Sequence, residues 1–149
     1  MFKLVNYKKY IKYLDKAEIP ELFLNELKKF GFKDLNGYKK SLNKFDRFAI
    51  VFIDRKPIVF MSLNRCNELT FFINSKATKK QKLKSLFILK RKIEHFANKY
   101  DYIIVKTPTL FNNKILKVFK FKKNVVTNLY IEWVRYGKFY ENNYKCNII

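Results

Sequence analysis

Five lysines cluster between a strand-like apolar run and a long helical pattern, and they form the most distinct candidate site in the sequence. They are Lys76, Lys79, Lys80, Lys82 and Lys84. A helix N-terminus already carries partial positive charge, so cations there are unfavourable unless they are solvated or an anion binds. The cluster could bind the phosphates of a cofactor, the phosphates of a nucleic acid, or nothing.

Two further basic clusters contain or adjoin aromatic residues. The first comprises Lys39 and Lys40 together with Tyr38 and Lys44, and the second comprises Lys117, Lys120, Lys122 and Lys123. Aromatic side chains beside lysines could stack on nucleic-acid bases while the lysines contact phosphate. Aromatic residues make up 18% of the chain, so such neighbours also arise by chance.

The chain carries 33 basic and 12 acidic residues, which gives a net charge of +21. A field of this sign attracts nucleic acid or another polyanion and makes binding strongly salt-dependent. The alternative is an incidental solvated surface, since lysine, asparagine, isoleucine, phenylalanine and tyrosine are all over-used, as an AT-rich genome would produce. That bias accounts for lysine over arginine but not for the shortage of acids. Nucleic acid or another polyanion is therefore the favoured partner.

The elements that must position the lysine cluster are three strands and one helix. Apolar runs over Arg47–Asp54, Pro57–Leu63 and Glu68–Asn74 are separated by hairpin-sized polar gaps, which predicts an antiparallel meander. Thr78 and Gln81 then form a capping-box pattern that opens the helix. The predicted apolar stripe of this helix comprises Leu83, Leu86, Phe87, Leu89, Ile93, Phe96, Ala97 and Tyr100.

The flanking segments complete the predicted order, β-α-α-β-β-β-α-β-α-β. Before the meander come a strand (Phe2–Val5), two helices (Tyr7–Asp15 and a second one ending at Gly31), a turn at Asn36-Gly37 and a linker (Tyr38–Lys44). After the long helix come a strand (Tyr102–Lys106) ended by Pro108, a short helix capped by Asn112 or Asn113, and a long strand (Asn124–Tyr136). A strand–helix–strand unit usually makes a parallel pair.

This pattern predicts the α/β (α+β) class, with a mixed, mostly antiparallel central sheet and helices on both faces. We expect a single domain over residues 1–149, with 137–149 as a C-terminal extension. No apolar run reaches membrane-spanning length and no signal peptide is visible. Cys66 and Cys146 give no metal-ligand spacing and no reason for a disulfide, so a reducing compartment is expected.

The element order resembles the GNAT superfamily of N-acetyltransferases over roughly residues 1–136. In that family a loop and the following helix hold the pyrophosphate of acetyl-CoA through backbone N–H groups. The resemblance places the loop at Ser75–Thr78 and the family's glycine-containing pattern at Lys76–Lys82, where no glycine is present. It implies acetyl-CoA as the cofactor. The implied contacts are Ser75, Lys76, Thr78, Lys79, Lys80, Lys82 and Asn112.

The family's second signature is an asparagine opening the next helix, then an aromatic residue, then Gly-Phe. Here Asn112, Phe119 and Lys120-Phe121 correspond to it, with lysine in place of the glycine. The position where many members have a tyrosine general acid holds Phe119, which has no proton to give. Glu68 begins the strand where members often place a general base, and a carboxylate there could take a proton from an amine. A solvated hairpin carboxylate is the competing interpretation.

The sequence is also similar to a degenerate GNAT-like branch that short-tailed phages encode near their internal virion proteins. This implies a basic GNAT-fold protein, virion-associated or nucleic-acid-binding, with weakened or lost acetyl transfer. An active acetyl-CoA-dependent N-acetyltransferase and an inhibitor of a host nucleic-acid machine are the alternatives. The expected location is the host cytoplasm or the virion. Phage virion and host proteins are the possible protein partners.

Overall fold

The computed structural model describes residues 1–108 and 114–139, and its α+β class confirms the predicted class. The chain forms two compact units, Met1–Leu89 and Lys90–Ile149. The first contains β1 (Phe2–Val5), α1 (Tyr7–Leu14), α2 (Glu21–Lys29), α3 (Leu35–Ser41), β2 (Arg47–Ile53), β3 (Lys56–Leu63), β4 (Leu69–Ile73) and the start of α4 (Lys79–Tyr100). The second contains the rest of α4, β5 (Tyr102–Thr107), α5 (Lys114–Val118), β6 (Lys122–Val126) and β7 (Ile131–Tyr136).

The first unit is built on a four-stranded antiparallel sheet in the order β1-β2-β3-β4, which confirms the predicted meander. Ile50 pairs with Phe60, and Phe60 pairs with Phe72, so these three side chains share one face of the sheet. Hairpin-sized gaps join β2 to β3 and β3 to β4, whereas three helices lie between β1 and β2 in the chain. Within the described residues, no helix is both long enough and apolar enough to span a bilayer.

Aromatic rings from the sheet and from the three preceding helices form the core of the first unit. Phe60 and Phe72 are stacked with their centroids 5.0 Å apart, and Phe23 of α2 lies 4.6 Å from Phe72. Tyr10 of α1 packs 4.7 Å from Phe48 of β2. The aromatic richness of the sequence is therefore in large part a property of this core.

The segment predicted as a turn and a linker is instead helix α3, and that prediction was wrong. Asp34 caps the helix by accepting a hydrogen bond from the Gly37 N–H at 2.9 Å. Tyr38 is only 6% exposed and meets Phe23 edge-on at 5.7 Å. The cap and the burial of Tyr38 outweigh the low helix propensity of Asn36-Gly37, which suggested a turn.

Helix α4 begins as predicted, but it buries a different face. Thr78 and Gln81 form the reciprocal capping box, with distances of 2.9 and 3.1 Å. The buried positions follow one four-residue spacing and are Gln81, Ser85, Leu89, Ile93 and Ala97. Leu83 and Phe87, placed in the predicted apolar stripe, are 58% and 64% exposed. The stripe included too many residues, since tertiary packing selects one line of a helix by fit and not by hydrophobicity alone.

The second unit contains a three-stranded antiparallel sheet in the order β5-β7-β6. β4 and β5, which flank α4, belong to different sheets, so the expected parallel pair does not form. The strand predicted over Asn124–Tyr136 is also wrong, because it is a hairpin of β6 and β7. Thr127 makes this turn, since its Oγ1 accepts hydrogen bonds from the Leu129 and Tyr130 N–H groups.

The core of the second unit centres on Trp133, whose indole Nε1 donates a hydrogen bond to Thr107 Oγ1 at 2.8 Å. Gly137, directly after β7, lies against the last turns of α4. A Cβ at this glycine would come within 2.5 Å of the Ala97 carbonyl oxygen. Its N–H donates to the Asp101 carbonyl at 2.8 Å, so this close approach requires glycine.

Candidate functional site

The loop between β4 and α4 is organised by Asn74, which the sequence did not single out. Its Oδ1 accepts hydrogen bonds from the N–H groups of Glu18 (3.3 Å) and Lys76 (3.1 Å), and its Nδ2 donates to the Pro57 carbonyl at 3.2 Å. The side chain is 8% exposed. A buried amide with three polar partners fixes the path of the loop into the helix. An asparagine that ends a strand pattern was the only available signal.

All the backbone N–H groups from Asn74 to Thr78 donate to acceptors of the protein. The acceptors are, in order, the Ile58 carbonyl, the Glu18 carbonyl, Asn74 Oδ1, the Asn74 carbonyl and Gln81 Oε1. Within the described part of the chain, the N–H groups of Lys79 and Lys80 are the ones at the helix start that no acceptor takes. The loop that the resemblance assigned to pyrophosphate therefore uses its own donors internally.

Ser75 and Thr78, the predicted cofactor contacts of this loop, lie where the sequence placed them. Thr78 acts as the helix cap, which was the simpler of its two predicted roles. The lysines of the cluster are their neighbours in the sequence. Lys76, Lys79, Lys80 and Lys84 are exposed, and Lys82 is half-buried. No carboxylate among residues 1–108 and 114–139 pairs with any of these five.

Glu68 lies in the β3–β4 hairpin, one residue before β4 begins. Its N–H donates to Asn64 Oδ1 at 3.0 Å, and its Oε2 accepts a hydrogen bond from Asn64 Nδ2 at 3.5 Å. The half-buried carboxylate is thus held in place by the hairpin. These two contacts with Asn64 suit a structural role in the hairpin. They are also compatible with the general-base role that the resemblance implies.

A buried tyrosine lies near Glu68, and sequence reasoning missed this relation. Burial raises the pKa of Tyr38 to about 12, a hydrogen bond with Ser62 opposes the shift, and the charges of Asp46 and Glu68 add to it. Burial also raises the pKa of Asp46 above its ordinary value, although a backbone hydrogen bond at Asn43 and the Arg65 charge oppose this. This polar group lies at one end of the first sheet, inside the first unit.

The first basic cluster, at Lys39 and Lys40, is not a free cationic patch. Tyr38 is in the core, and Lys39 forms an ion pair with Asp15 of α1. Lys40 is exposed. The stacking role considered for this segment is therefore wrong for Tyr38, because a ring buried among Phe23 and Phe32 cannot receive a base.

The cluster at Lys120, Lys122 and Lys123 belongs to the second unit, and all three are exposed. Lys120 has a φ of +64° and follows α5 at the position where helices favour glycine. Two hydrogen bonds close this helix end, from Phe121 N–H to Leu116 O and from Lys120 N–H to Lys117 O. Lys120 thus adopts the backbone conformation that a glycine would adopt most easily.

Two more positions belong to the second signature of the resemblance, and only one of them, Phe119, lies within the described residues. Phe119 is 4% exposed and forms part of the core. Asn112, the predicted cofactor contact, lies outside the described residues, as does the predicted cap Asn113.

Comparison with known proteins gave structural matches alone. No family matches the sequence, and no curated protein does. Among solved structures, the PaiA N-acetyltransferase of Thermoplasma acidophilum, in complex with coenzyme A, is 14% identical, with a TM-score of 0.56. The match covers 91% of this chain and 99% of that protein.

Two further acetyltransferases match over similar lengths. A chimaera of the spermidine N-acetyltransferase SpeG of Vibrio cholerae with hSSAT is 12% identical, with a TM-score of 0.54 and coverage of 95% and 99%. The ribosomal-protein-S5-alanine acetyltransferase of Vibrio fischeri is 13% identical, with a TM-score of 0.52 and coverage of 92% of both chains. At these identities the likeness concerns architecture. The chain therefore has the fold of the GNAT-family acetyltransferases.

Proposed function

We propose that this chain is a GNAT-fold protein that binds nucleic acid through the lysines at the start of α4, and that acetyl transfer is weakened or lost. The observation that supports this best is the β4–α4 loop. Its N–H groups from Asn74 to Thr78 are all used by protein acceptors, whereas the lysines around it have no described carboxylate partner. An anion at this loop would therefore be bound by lysine side chains and not by the backbone N–H groups from Asn74 to Thr78.

Weakened cofactor binding follows from the loop's hydrogen bonds and from its side chains. A pyrophosphate held by backbone N–H groups needs donors that are free and a backbone that can be approached closely. Here the donors from Asn74 to Thr78 are occupied, which leaves the N–H groups of Lys79 and Lys80 at the helix start, and no glycine occurs between Lys76 and Lys82. Phe119 adds to this, since a buried phenyl ring offers no proton to a leaving thiolate.

Polyanion binding follows from the net charge and from the exposure of the lysines. A net charge of +21 produces a long-range attraction for phosphate backbones. The first turn of α4 contains no acidic residue, so nothing on the helix neutralises Lys79, Lys80 or Lys84 locally. Each phosphate contact that such lysines make releases counterions, which gives binding its dependence on salt.

The test is a titration of a fluorescein-labelled oligonucleotide by anisotropy at several salt concentrations. The triple variant Lys79→Gln, Lys80→Gln, Lys84→Gln should bind at least about tenfold more weakly at low salt. Its slope of log K against log salt should be lower by about 2, because each lost phosphate contact removes roughly 0.7–0.9 from the slope.

The matched control is the triple variant Lys8→Gln, Lys9→Gln, Lys12→Gln, which removes the same charge from exposed positions on α1. It should keep most of the affinity and most of the slope. Equal losses in both triple variants would mean a diffuse field instead of a site. Tight binding of acetyl-CoA in isothermal titration, together with no salt-sensitive binding of nucleic acid, would overturn the proposal.

The alternative is an acetyl-CoA-dependent N-acetyltransferase. It is supported by the structural match to the coenzyme A-bound PaiA N-acetyltransferase, which extends over 91% of this chain. Glu68 would then act as the general base from its hairpin, and lysine side chains would hold the pyrophosphate. Acceptor acetylation that disappears in Glu68→Gln, with folding intact, would support this function. No heat of binding for acetyl-CoA at any concentration would end it.

The origin and the protein partners form a further part of the proposal. The resemblance to the phage branch supports a phage or mobile-element protein that accompanies the virion or acts on a host nucleic-acid machine. Mass spectrometry of purified virions and a nuclease-treated pulldown from host extract would separate these roles. A pulldown that recovers only nucleic acid would count against the host-protein role.

A further inference from the structure

The outward face of α4 within the first unit combines two apolar side chains with two lysines. Lys80, Leu83, Lys84 and Phe87 are spaced at i, i+3, i+4 and i+7, so they line one face of the helix. Leu83 is 58% exposed and Phe87 is 64% exposed. The opposite face of the same turns is buried through Gln81, Ser85 and Leu89, so this outward orientation is fixed.

We infer that this face, called here the Phe87 face and defined by Lys80, Leu83, Lys84 and Phe87, binds single-stranded nucleic acid by stacking a base on the Phe87 ring. The inference rests on the proposed function and specifies the form of nucleic acid. An exposed phenyl ring offers a π-face to any unpaired base, whereas the bases of a duplex are already stacked on each other. Lys84 lies about one helical turn before Phe87 and Lys80 about two turns before it, on the same face, so both can contact phosphates on that side of a stacked base.

Charge complementarity favours this occupant over two others. A second copy of the chain would bring its own Lys80 and Lys84 against the same charges, on a protein of net charge +21. An anionic membrane would attract the lysines, but interfacial helices bury a broad apolar face into the lipid. The buried line of α4 is already packed inside the protein, and the exposed large apolar side chains of this helix are Leu83 and Phe87, which do not form a broad face.

A second exposed aromatic residue serves as an internal comparison. Phe45 is 66% exposed, nearly the same as Phe87. Its ring is already contacted by cations, with Lys44 Nζ at 5.1 Å and the Arg65 guanidinium at 5.8 Å from the centroid. Phe87 has no such cation among the described contacts, so its ring is accessible to a base.

The experiment measures anisotropy with labelled oligothymidylate and with a duplex of the same length. The wild-type protein should prefer the single strand at matched salt. Phe87→Ala should weaken single-strand binding about tenfold, within the range of roughly 5- to 150-fold that one stacked base provides. Duplex binding and the salt slope should stay as in the wild type, because no phosphate contact is removed. Phe45→Ala should bind as the wild type does.

Two more variants separate stacking from apolar contact and from misfolding. Phe87→Leu keeps an apolar side chain without a ring and should lose about as much affinity as Phe87→Ala. Phe87→Trp should retain binding, and its emission should be quenched by oligothymidylate. Trp133 is 2% exposed, so its emission should not respond. The melting temperature should be unchanged in all Phe87 variants.

Several outcomes would overturn the inference. They are wild-type affinity in Phe87→Ala or in Phe87→Leu, a loss in Phe45→Ala in place of Phe87→Ala, and equal single-strand and duplex binding by the wild type. In each of these cases, salt-sensitive binding that depends on the α4 lysines would leave the proposed function standing. Absence of any nucleic-acid binding by the wild type would remove both.

Discussion

Two helical segments of the first unit contain lysines near an aromatic residue, and the fold uses them in opposite ways. On α3, Tyr38 is 6% exposed, and Lys39 is paired with Asp15. On α4, Phe87 is 64% exposed, and Lys84 has no described carboxylate partner. The α3 pair is structural, whereas the α4 pair is available to a ligand. Basic and aromatic neighbours in a sequence therefore do not define a binding surface by themselves.

The difference arises from what packs against each helix. The aromatic face of the β2–β4 sheet and the rings of α2 and of Phe32 cover Tyr38. Tyr7 of α1 donates a hydrogen bond to the Lys39 carbonyl at 3.4 Å, which ties α3 to its neighbour. The outward face of α4 has no such cover, since its packing line runs through Ser85 and Leu89 instead.

The largest expected effect separates the two aromatic residues by stability. Tyr38→Ala should lower the free energy of unfolding by about 3–5 kcal/mol, as expected for removing a buried ring. Phe87→Ala should change it by no more than about 0.5 kcal/mol, because its ring is largely in solvent. Urea unfolding followed by circular dichroism measures both. Similar losses of stability in the two variants would contradict the assignment of Tyr38 to the core and of Phe87 to the surface.

The next effect concerns the loop from which the lysine-bearing helix begins. Asn74→Ala should cost about 2 kcal/mol, since the N–H groups of Glu18 and Lys76 lose their acceptor and the Pro57 carbonyl loses its donor. Asn74→Asp keeps an acceptor oxygen and should lose less. The same urea titration checks this order. A larger loss in the aspartate variant than in the alanine variant would show that a buried carboxylate facing the Pro57 carbonyl costs more than the retained acceptor contributes.

A pH-dependent effect is expected in the helical layer that covers Tyr38. Burial raises the pKa of Glu26 on α2 from 4.5 to about 7, and the Lys29 charge opposes this shift. Between those pH values the folded state binds more protons than the unfolded state, so stability falls as pH rises through this window. Glu26→Gln should remove the fall and stabilise the protein at pH 8 by about 1 kcal/mol, a figure reduced because the group is partly solvated.

The check on Glu26 is urea unfolding of both proteins at pH 4 and at pH 8. At pH 4 the wild-type carboxyl is mostly neutral in both states, so the substitution should have a much smaller effect there than at pH 8. A stabilisation of the same size at both pH values would indicate a packing effect and not a buried charge.

The smallest effects should separate the two lysines. Lys39→Gln loses the pair with the half-exposed Asp15 and should cost at most about 1 kcal/mol, with oligonucleotide affinity unchanged. Lys84→Gln should leave stability unchanged, weaken oligonucleotide binding a few-fold and lower the salt slope by about 1. Thermal unfolding and anisotropy on the same samples measure both properties. Weaker binding in Lys39→Gln than in Lys84→Gln would reverse the assignment.

The strands of the first unit and the start of α4 could be predicted because their signals are local. Short apolar runs separated by polar gaps predicted the meander, and the reciprocal pair Thr78–Gln81 predicted the helix cap. Helix α3 was missed because Gly37 suggested a turn, while its stability depends on burying Tyr38 against residues distant in the chain. The β6–β7 hairpin was missed because Thr127 forms the turn without glycine or proline.

The sequence predicted which residues form the candidate site, but not which of their donors and side chains are free to bind a ligand. The lysine cluster and the lack of glycine in the loop are visible in the sequence, and so is Phe119 at the position where the resemblance places a tyrosine. The occupation of the loop N–H groups is not visible, because the acceptors on Glu18 and Ile58 come from distant segments. The exposure of Phe87 was also hidden, since apolar residues surround it in the helix.

The sequence by itself determined the α+β class, the strand meander, the helix start and the charge, because each depends on neighbours within a few residues. The tertiary structure decided which face of α4 is buried, which lysine is paired and which backbone donors are free. These outcomes depend on contacts between residues far apart in the chain, such as Lys39 with Asp15 and Asn74 with Glu18. Local pattern cannot specify them, because the same side chain is stable in the core or in solvent according to what packs against it.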